Sequence, residues 1–338
     1  MNHEDPSELT GLVDTIAPPD QTWGELFVEG DADKIRTHLQ DELIGLFQKW
    51  SRHLKNYNVI LFYVENGISY DDSDEMYRAL SAVPSQKKDV LMVLVSTGGF
   101  AVPAYQISKL CREWSKDRFI ICVPRHAYSA ATLICLGADA VHMGPLGNLG
   151  PIDPQVYLPE GKWTAGLSHQ RSLQTITKWV AENPGSQTMW AQIISRDKDF
   201  NLFDIGEYER DVESSVQYAE RLLIAGKSSP ERAVEIAKHL TYAYKEHGFA
   251  IDRDEATGIF GEDSVVRSSK ELSFSEEAYN LIVKVDKGLK AIKYDGSNVV
   301  HGGVKVVGAV HDSVTIVPPP PWRLKREVGP ENEEFDQG

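Results

Sequence analysis

The sequence predicts an α/β fold built on a parallel sheet that carries helices on its faces. Short apolar runs rich in Val, Ile and Leu alternate with amphipathic segments between residues 58 and 143. Parallel strands need a crossover between neighbours and are covered on both faces, so unbroken apolar runs separated by helices indicate this class. After residue 168 helical periodicity replaces the alternation, which predicts a helical extension of the core.

The elements follow one another in a regular order. Residues 1–30 are acidic and lack periodicity, and we interpret them as a flexible arm. In residues 31–54 apolar side chains recur every three or four positions, which predicts an amphipathic helix. The predicted alternation then runs through strand 58–64, helix 71–84, strand 89–95, helix 101–116, strand 118–123, helix 129–137 and strand 139–143.

The second half of the chain has a different character. Residues 144–159 are rich in Gly and Pro, so we expect an irregular rim there. Residues 303–317 contain short β-like runs, and the tail from 318 begins with prolines and ends acidic. Helices are predicted at 170–182, 187–198, 206–226, 230–247 and 275–290. The expected organisation is an arm 1–30, a core 31–165, a helical extension 166–317 that completes the domain, and a tail 318–338.

Charge and hydropathy exclude several classes of function. The 338 residues include 50 Asp and Glu against 35 Lys and Arg, a net charge of −15, which argues against coating nucleic acid or an anionic membrane. Residues 1–33 hold nine acids and no Lys or Arg, so more than half of the excess negative charge lies near the N-terminus. No apolar run approaches the roughly 18 residues of a membrane span, and no secretory signal is visible. A cytoplasmic location is therefore expected.

Cysteine usage also favours a cytoplasmic location, and the motifs of metal and phosphate sites are absent from the sequence. The three cysteines form no C-x-x-C pair, and their odd number cannot be fully paired within one chain. They lie in apolar stretches, so we expect buried free thiols in a reducing compartment. The sequence contains neither H-E-x-x-H nor a phosphate-binding G-x-x-x-x-G-K-[ST], and we expect no metal and no cofactor.

Two strand-to-helix junctions carry residues suited to acyl chemistry. Gly98 and Gly99 follow a buried strand, where glycines permit a sharp turn and bring N–H groups close to a ligand. Ser129 opens a helix of small residues, whose N-terminus favours negative charge on an alkoxide. Taken alone, the Gly98-Gly99 pair is typical of a tight turn, and Ser129 is typical of an ordinary N-cap.

Four motifs stand in order along the chain: VLVSTGG (93–99), VPRHAYSAATLICLGADAVHMG (123–144), GPLGNLGPIDPQ (144–155) and HGFAIDRDEA (247–256). Together they resemble the Clp protease/crotonase superfamily, and most closely the serine dehydrogenase proteinase family, relatives of signal peptide peptidase A. The resemblance covers roughly residues 58–260. It implies a crotonase-like ββα spiral and hydrolysis of peptide bonds.

The resemblance assigns a nucleophile and an oxyanion hole. Ser129 matches the nucleophile, the N–H groups of Gly99 and Ala130 match the oxyanion hole, and Gly98 shapes the turn. The tetrahedral intermediate of acyl transfer carries negative charge on the former carbonyl oxygen. Two fixed N–H donors stabilise that charge, and losing one typically costs about 10²–10³ in rate.

The identity of the general base stays open. Clp proteases place a His about two dozen residues after the Ser, where this chain has Asp153 instead. Relatives of signal peptide peptidase A use a Lys supplied later, which makes Lys178, 49 residues after Ser129, the best-placed candidate. A solvated surface Lys is the alternative, because a catalytic Lys needs burial or a cationic neighbour. Lys162 and Lys198 are further candidates.

Asp153 and the histidines have alternative interpretations. Asp153 either acts on the base or belongs to an Asp-Pro turn. His126, three residues before Ser129, either reaches the site or packs at the helix entry. His142 is expected to be a core His with a hydrogen-bond partner. His247 and Asp252 are expected to form a hydrogen-bonding pair at a helix end.

Three functions remain open from the sequence. The first is a cytosolic, ATP-independent serine peptidase acting on peptides or unfolded proteins. The second is an acyl-CoA-processing crotonase, which uses the same kind of oxyanion hole. The third is a non-catalytic scaffold, or a component that an activating protein partner switches on, which the missing His favours. The resemblance also implies a homo-oligomer.

Overall fold

The computed structural model describes residues 21–82, 88–157, 163–196, 202–291, 303–309 and 314–317. The α-helices are α1 (Gln21–Glu29), α2 (Ala32–Leu54), α3 (Tyr70–Ala82), α4 (Ala101–Trp114), α5 (Ala130–Cys135), α6 (Leu167–Glu182), α7 (Gln187–Arg196), α8 (Leu202–Ala225), α9 (Pro230–Tyr242), α10 (Arg253–Phe260) and α11 (Lys270–Ala291). The strands are β1 (Tyr57–Val64), β2 (Asp89–Ser96), β3 (Phe119–Val123), β4 (His126–Ala127), β5 (Ala140–Met143), β6 (Asn148–Leu149), β7 (Gln155–Tyr157), β8 (Trp163–Ala165), β9 (Ile251–Asp252), β10 (Val265–Val266), β11 (Gly303–Ala309) and β12 (Val314–Val317).

The main sheet has the order β10-β5-β3-β2-β1-β11-β12. Strands β10, β5, β3, β2 and β1 are parallel, and β11 and β12 add to the β1 edge in antiparallel pairing. The α/β class with a parallel sheet is therefore confirmed. Helices connect the parallel strands, as right-handed crossover topology requires.

Two hydrophobic cores cover the two faces of this sheet. Ile60 and Phe62 of β1 face the core beneath α3, α4 and α5, whereas Leu61 and Tyr63 face the core formed with α2 and α11. Successive side chains of a strand point to opposite faces, so a strand buried on both faces must be apolar throughout. This explains the unbroken apolar runs in the sequence.

The sheet forks at the end of β2. Strand β2 pairs with β3 from Val90 to Val93, and then pairs with β4 through Ser96 and Ala127. Strand β4 pairs with β6, and β6 with β9, so a branch of short strands curls away from the main sheet. The curled sheet confirms the predicted spiral core and holds both junctions singled out in the sequence.

The helical extension completes both cores. Leu222 of α8 and Ile236 of α9 lie in the first core, and Phe274 and Ile282 of α11 lie in the second. Strand β11 pairs with β1 from Ile60 onward. The division into a core and an extension, with boundaries at 165 and 317, stays a prediction. None of the helices within the described residues is long and apolar enough to cross a membrane.

Two segments differ from the sequence prediction. The flexible arm predicted for 1–30 is wrong for its last part, because Gln21–Glu29 form α1 and Trp23 is completely buried in the second core. Residues 1–20 and the tail 318–338 lie outside the described residues. The rim 144–159 is not wholly irregular, since β6 and β7 form within it.

Candidate active site

The Gly98-Gly99 turn follows the last residue of β2. Both residues have positive φ, 105° and 144°, a region that side-chain-bearing residues rarely adopt. A Cβ on Gly99 would overlap the backbone of Ile68, with which Gly99 forms a parallel bridge. A Cβ on Gly98 would lie 2.7 Å from the carbonyl oxygen of Tyr128 and 2.8 Å from Cβ of Ser129. Glycine is therefore required at both positions, and the two junctions touch.

Ser129 immediately precedes α5 in a strained backbone conformation. Its φ of 52° and ψ of −118° lie outside the favoured regions, which costs about 1–3 kcal/mol. The flanking residue Tyr128 donates its N–H to the carbonyl of Ser96 at 3.0 Å, which helps to hold this geometry. The Ser129 side chain makes no capping hydrogen bond, so the ordinary N-cap interpretation is wrong. The hydroxyl has no partner among the described residues.

Two backbone N–H groups beside Ser129 also have no acceptor within the described part of the chain. They belong to Gly99 and Ala130, the latter being the first residue of α5. The N–H of Gly98 is already used, because it donates to Oγ of Ser96 at 3.1 Å. Gly99 and Ala130 thus offer a pair of donors next to a serine hydroxyl, whereas Gly98 supports the turn.

The Gly/Pro rim packs directly on Ser129. A Cβ on Gly150 would lie 3.4 Å from the backbone nitrogen of Ser129. The Gly150 N–H donates to Oγ1 of Thr132 at 2.9 Å, and that hydroxyl donates to the carbonyl of Ala127 at 2.6 Å. The buried Thr132 therefore ties the rim to both sides of the Ser129 turn.

Asp153, three residues further along the rim, pairs with a histidine. Its Oδ1 lies 3.0 Å from Nδ1 of His247, and its side chain is only 9% exposed. The predicted pairing of His247 with Asp252 is wrong. Asp252 instead caps α10, accepting hydrogen bonds from the N–H groups of Asp254 and Glu255.

His126 forms a second histidine–carboxylate pair near the site. Its Nε2 lies 2.9 Å from Oε1 of Glu65, and its ring stacks on Tyr128. Thr97, beside the glycine turn, donates its hydroxyl to the carbonyl of Glu65 at 3.1 Å. His126 is therefore held by a contact that the sequence did not reveal.

The lysine candidates are not brought to Ser129 by any described contact. Lys178 lies on the exposed side of α6 and makes no hydrogen bond or ion pair within the described residues. Lys162 and Lys198 lie outside the described residues.

His142 and the three cysteines are buried and have structural roles. His142 is buried on β5 with Nδ1 2.8 Å from Oγ of Ser269, and burial lowers its pKa, as expected for a core His. The three cysteines are free and buried, and burial raises the pKa of each thiol. Within the described ranges, no three His, Cys, Asp or Glu side chains lie together in a way that would hold a metal ion.

Sequence comparison identifies the core that carries this site. Residues 56–168 match the model of a family described as ClpP-like SDH-type serine proteinase. The match covers 113 of the 338 residues, about a third of the chain. The matched SDH-type segment contains the glycine turn, Ser129 and the whole rim with Asp153, whereas His247 lies beyond it.

Two uncharacterized proteins of Methanocaldococcus jannaschii are similar to a longer part of the chain. One is 30% identical over 189 residues and the other 27% identical over 207 residues. The matches cover 56% and 61% of this chain, and 58% and 62% of the relatives. The chain therefore spans less than two thirds of the length of these curated relatives.

Two similar solved structures belong to the 1510-N membrane-bound stomatin-specific protease. A serine-to-alanine mutant is 17% identical, covers 65% of this chain and 83% of its own, and superposes with a TM-score of 0.42. A lysine-to-alanine mutant in complex with a substrate peptide is 17% identical, covers 64% and 78%, and has a TM-score of 0.40.

Sequence reasoning found Ser129, Gly98, Gly99 and Ala130 together but missed two contacts. The partner of Asp153 is His247, 94 residues away, and the partner of His126 is Glu65, 61 residues away. The HGFAIDRDEA motif drew attention to His247 but did not indicate its partner. Pairs so distant along the chain depend on strand pairing that the sequence does not display.

Proposed function

We propose that this chain is a serine peptidase that hydrolyses peptide bonds without ATP, with Ser129 as nucleophile. The observation that carries the proposal is the strained Ser129 backbone, whose hydroxyl caps no helix, at a junction where the N–H groups of Gly99 and Ala130 have no acceptor among the described residues. Strain of this kind persists only where surrounding structure holds it, and it concentrates at functional sites. The family of the core segment, a serine proteinase family, supports the same chemistry.

The proposed reaction uses the donors on both junctions. Ser129 Oγ attacks the carbonyl carbon of the substrate, and the electron pair of the C=O bond moves onto its oxygen. The N–H groups of Gly99 and Ala130 donate to that oxyanion, and each donor is worth about 10²–10³ in rate. The C–N bond then breaks, the amine leaves with a proton, and water hydrolyses the acyl-serine ester.

A fluorophosphonate probe tests the nucleophile without knowledge of the substrate. We expect the full chain to react at Ser129, as located by mass spectrometry, and Ser129→Ala to lose the reaction. Ser229→Ala is the matched control, because Ser229 also precedes a helix but caps it. Labelling that survives Ser129→Ala would overturn the proposal. Hydrolysis of an unfolded polypeptide without nucleotide then tests the peptidase activity.

The proposal includes a cytosolic location. It is supported by Cys111, Cys122 and Cys135, which are buried, unpaired and therefore stable only as thiols. In cells lysed in an alkylating reagent, we expect all three thiols to be reduced and the chain to remain in the supernatant after membranes are pelleted. A chain that sediments with membranes would contradict this location.

The proposal also includes assembly into a homo-oligomer. Helices α6 and α7 expose large apolar side chains, Trp179, Met189 and Ile193, each close to half exposed. Exposed apolar groups on adjacent helices are typical of interfaces. Light scattering at micromolar concentration is expected to give a mass above 37.7 kDa. If the assembled chain reacts with the probe but hydrolyses no polypeptide, an activating protein partner becomes the next candidate.

A further inference from the structure

A buried ion pair joins strand β11 to the first turn of helix α3. Nζ of Lys305 lies 2.6 Å from Oδ1 of Asp72 and 3.5 Å from Oε2 of Glu75. The side chain of Asp72 is 1% exposed and that of Lys305 is 13% exposed. Burial opposes the charge on Lys305, but the contacts with Asp72 and Glu75 outweigh it and raise the pKa of the ammonium group. Removing one partner of such a pair leaves an uncompensated buried charge.

The register of β11 against β1 brings Lys305 to this place. Val306 pairs with Tyr63 near the end of β1. Successive side chains of a strand point to opposite faces, and Val306 lies in the second core whereas Val307 lies in the first. Lys305 therefore shares the face of Val307, which α3 covers. On that face it approaches the junction between α3 and the loop 65–69, which connects β1 to α3.

The other oxygen of Asp72 holds the end of this loop. Oδ2 accepts hydrogen bonds from the backbone N–H of Ser69 at 2.7 Å and from its hydroxyl at 2.8 Å. This is half of a capping box, in which a first-turn side chain returns to the residue before the helix. The Ser69 N–H belongs to the same peptide unit as the carbonyl of Ile68, which accepts from the N–H of Phe100 at 2.9 Å. One peptide unit thus connects the Asp72 carboxylate with the residue that follows the glycine turn.

The preceding peptide unit of the loop sets the direction of the Gly99 N–H. The N–H of Ile68 donates to the carbonyl of Gly98 at 2.7 Å. That carbonyl and the N–H of Gly99 belong to one peptide unit, and no peptide bond among the described residues is cis. The C=O and N–H of a trans peptide point in opposite directions. By holding the carbonyl of Gly98, Ile68 therefore turns the Gly99 N–H away from the loop.

A continuous series of contacts thus runs from Lys305 to the glycine turn. We infer that Lys305 positions the Gly99 N–H as an oxyanion donor by holding Asp72, and through it the loop 65–69, in place. The inference rests on the proposed peptidase function. Lys305 is a positioning residue, because it acts through Asp72 and Ile68 and not on the reacting atoms.

The loss of Lys305 changes the acceptor on which the loop depends. Without a counter-charge, the buried carboxylate of Asp72 either takes up a proton or moves toward water. Both changes weaken its hold on the N–H of Ser69, and the neighbouring Ile68 then no longer fixes the Gly98 carbonyl. Displacing a group of an active site by about 1 Å costs about 10² in rate, so a small shift of the Gly99 N–H is enough to be measured.

The kinetics of fluorophosphonate labelling at Ser129 measure this positioning in the full chain. We expect Lys305→Met to lower the rate constant at saturating probe by about 10², and to leave the half-saturating probe concentration unchanged. Oxyanion donors act on the charge that develops during bond formation, so their displacement slows that step more than it weakens binding. Tyr63→Phe is the matched control, since it removes a buried hydrogen bond to Asp286 on the opposite face of β1. Both constants are expected to be unchanged in this control, and thermal unfolding shows which variants fold.

Two double variants separate positioning from general stability. Asp72→Asn combined with Lys305→Met leaves no buried charge and keeps an amide oxygen that can accept from Ser69, so most of the lost rate is expected to return. In Gly99→Ala the added Cβ has already displaced the N–H. Adding Lys305→Met to that background is expected to lower the rate no further, because changes that act on the same group are not additive. A purely structural role would give additive losses.

The outcomes distinguish the inference from the function beneath it. Absence of labelling in the unaltered chain, or labelling that survives Ser129→Ala, overturns both. Labelling at Ser129 with a rate constant that is unchanged in Lys305→Met, or that falls equally in Tyr63→Phe, overturns the inference alone. So does a combination with Asp72→Asn that recovers nothing, or a loss that persists in full beside Gly99→Ala. If Lys305→Met does not fold, Lys305→Gln takes its place, since its amide can donate to Asp72 without a charge, and the same outcomes decide.

Discussion

Ser129 and Ser229 both stand immediately before the first residue of a helix, yet their backbones differ completely. Ser229 has φ −65° and ψ 152°, and its Oγ accepts a hydrogen bond from the N–H of Arg232 at 3.3 Å. Ser129 has φ 52° and ψ −118° and accepts no such bond. One serine stabilises the helix that follows it, and the other is held in a strained conformation with its hydroxyl unused.

The difference shows what distinguishes a cap from a candidate nucleophile. An N-cap residue adopts extended φ and ψ because this turns its oxygen toward the free N–H groups of the first turn. At Ser129, where Tyr128 and Gly98 pack closely, the conformation is different and the hydroxyl makes no capping hydrogen bond. The helix N–H of Ala130 is thereby left for another acceptor.

The largest expected effect is that of Ser129→Ala on hydrolysis. Removing the nucleophile of a serine peptidase costs about 10⁶ in turnover, and we expect a loss of that order. The matched substitution Ser229→Ala is expected to leave turnover unchanged. Initial rates on an unfolded polypeptide measure both. Equal effects of the two substitutions would remove the functional distinction between these serines.

Gly99→Ala is expected to reduce labelling at Ser129 by about 10²–10³, the typical value of one oxyanion donor. The added Cβ would overlap the backbone of Ile68, so the N–H of Gly99 would move from its place beside Ser129. Gly261→Ala is the control, because Gly261 also has positive φ (93°) but has open space around it and caps the remote α10. A rate unchanged in Gly99→Ala would exclude this N–H from the site.

Ser229→Ala is expected to lower the free energy of unfolding by about 1 kcal/mol, since it removes a helix cap. Ser129→Ala removes no cap and keeps the strained φ, so its effect on stability is expected to be smaller. Chemical denaturation of the two variants gives both values. A cap-sized loss in Ser129→Ala would mean that its hydroxyl stabilises α5 after all.

The smallest expected effect is on the free energy of unfolding, which glycine should change in opposite directions at the two serines. Ser129→Gly is expected to raise the free energy of unfolding by up to about 1 kcal/mol, because glycine adopts positive φ without strain. Ser229→Gly is expected to lower it by a few tenths of a kcal/mol, because glycine caps a helix less well than serine. The same denaturation series measures both, and a loss of stability in Ser129→Gly would argue against strain at this position.

The sequence predicted most of the fold because its signals are local. The apolar runs at β1, β2 and β3 and the periodicity of α2 each lie within one element, and each element formed within two residues of its predicted bounds. The Ser129 turn was singled out from its neighbours in the chain. By contrast, α1 was missed because only the packing of Trp23 into the second core reveals why that segment is ordered.

Long-range pairing sets the limit of prediction at the site. The approach of His247 to Asp153 depends on β9 pairing with β6, and two-residue strands carry almost no periodicity from which to predict a partner. The sequence favours Lys178 as general base because of its distance from Ser129 along the chain, but a distance along the chain does not indicate whether a side chain is buried. The structure leaves it exposed, without the burial that favours a catalytic Lys.

The antiparallel pairing of β11 with β1 has a consequence for biosynthesis. Ile60 and Ala309 are partners, so about 250 residues separate the two strands in the chain. At about 5–20 residues per second, a ribosome takes roughly 12–50 s to deliver the second strand after the first. Throughout that interval β1 has an open edge, a template for pairing with other nascent chains. We therefore expect folding of this protein in the cell to depend on chaperones that cover that edge until translation reaches β11.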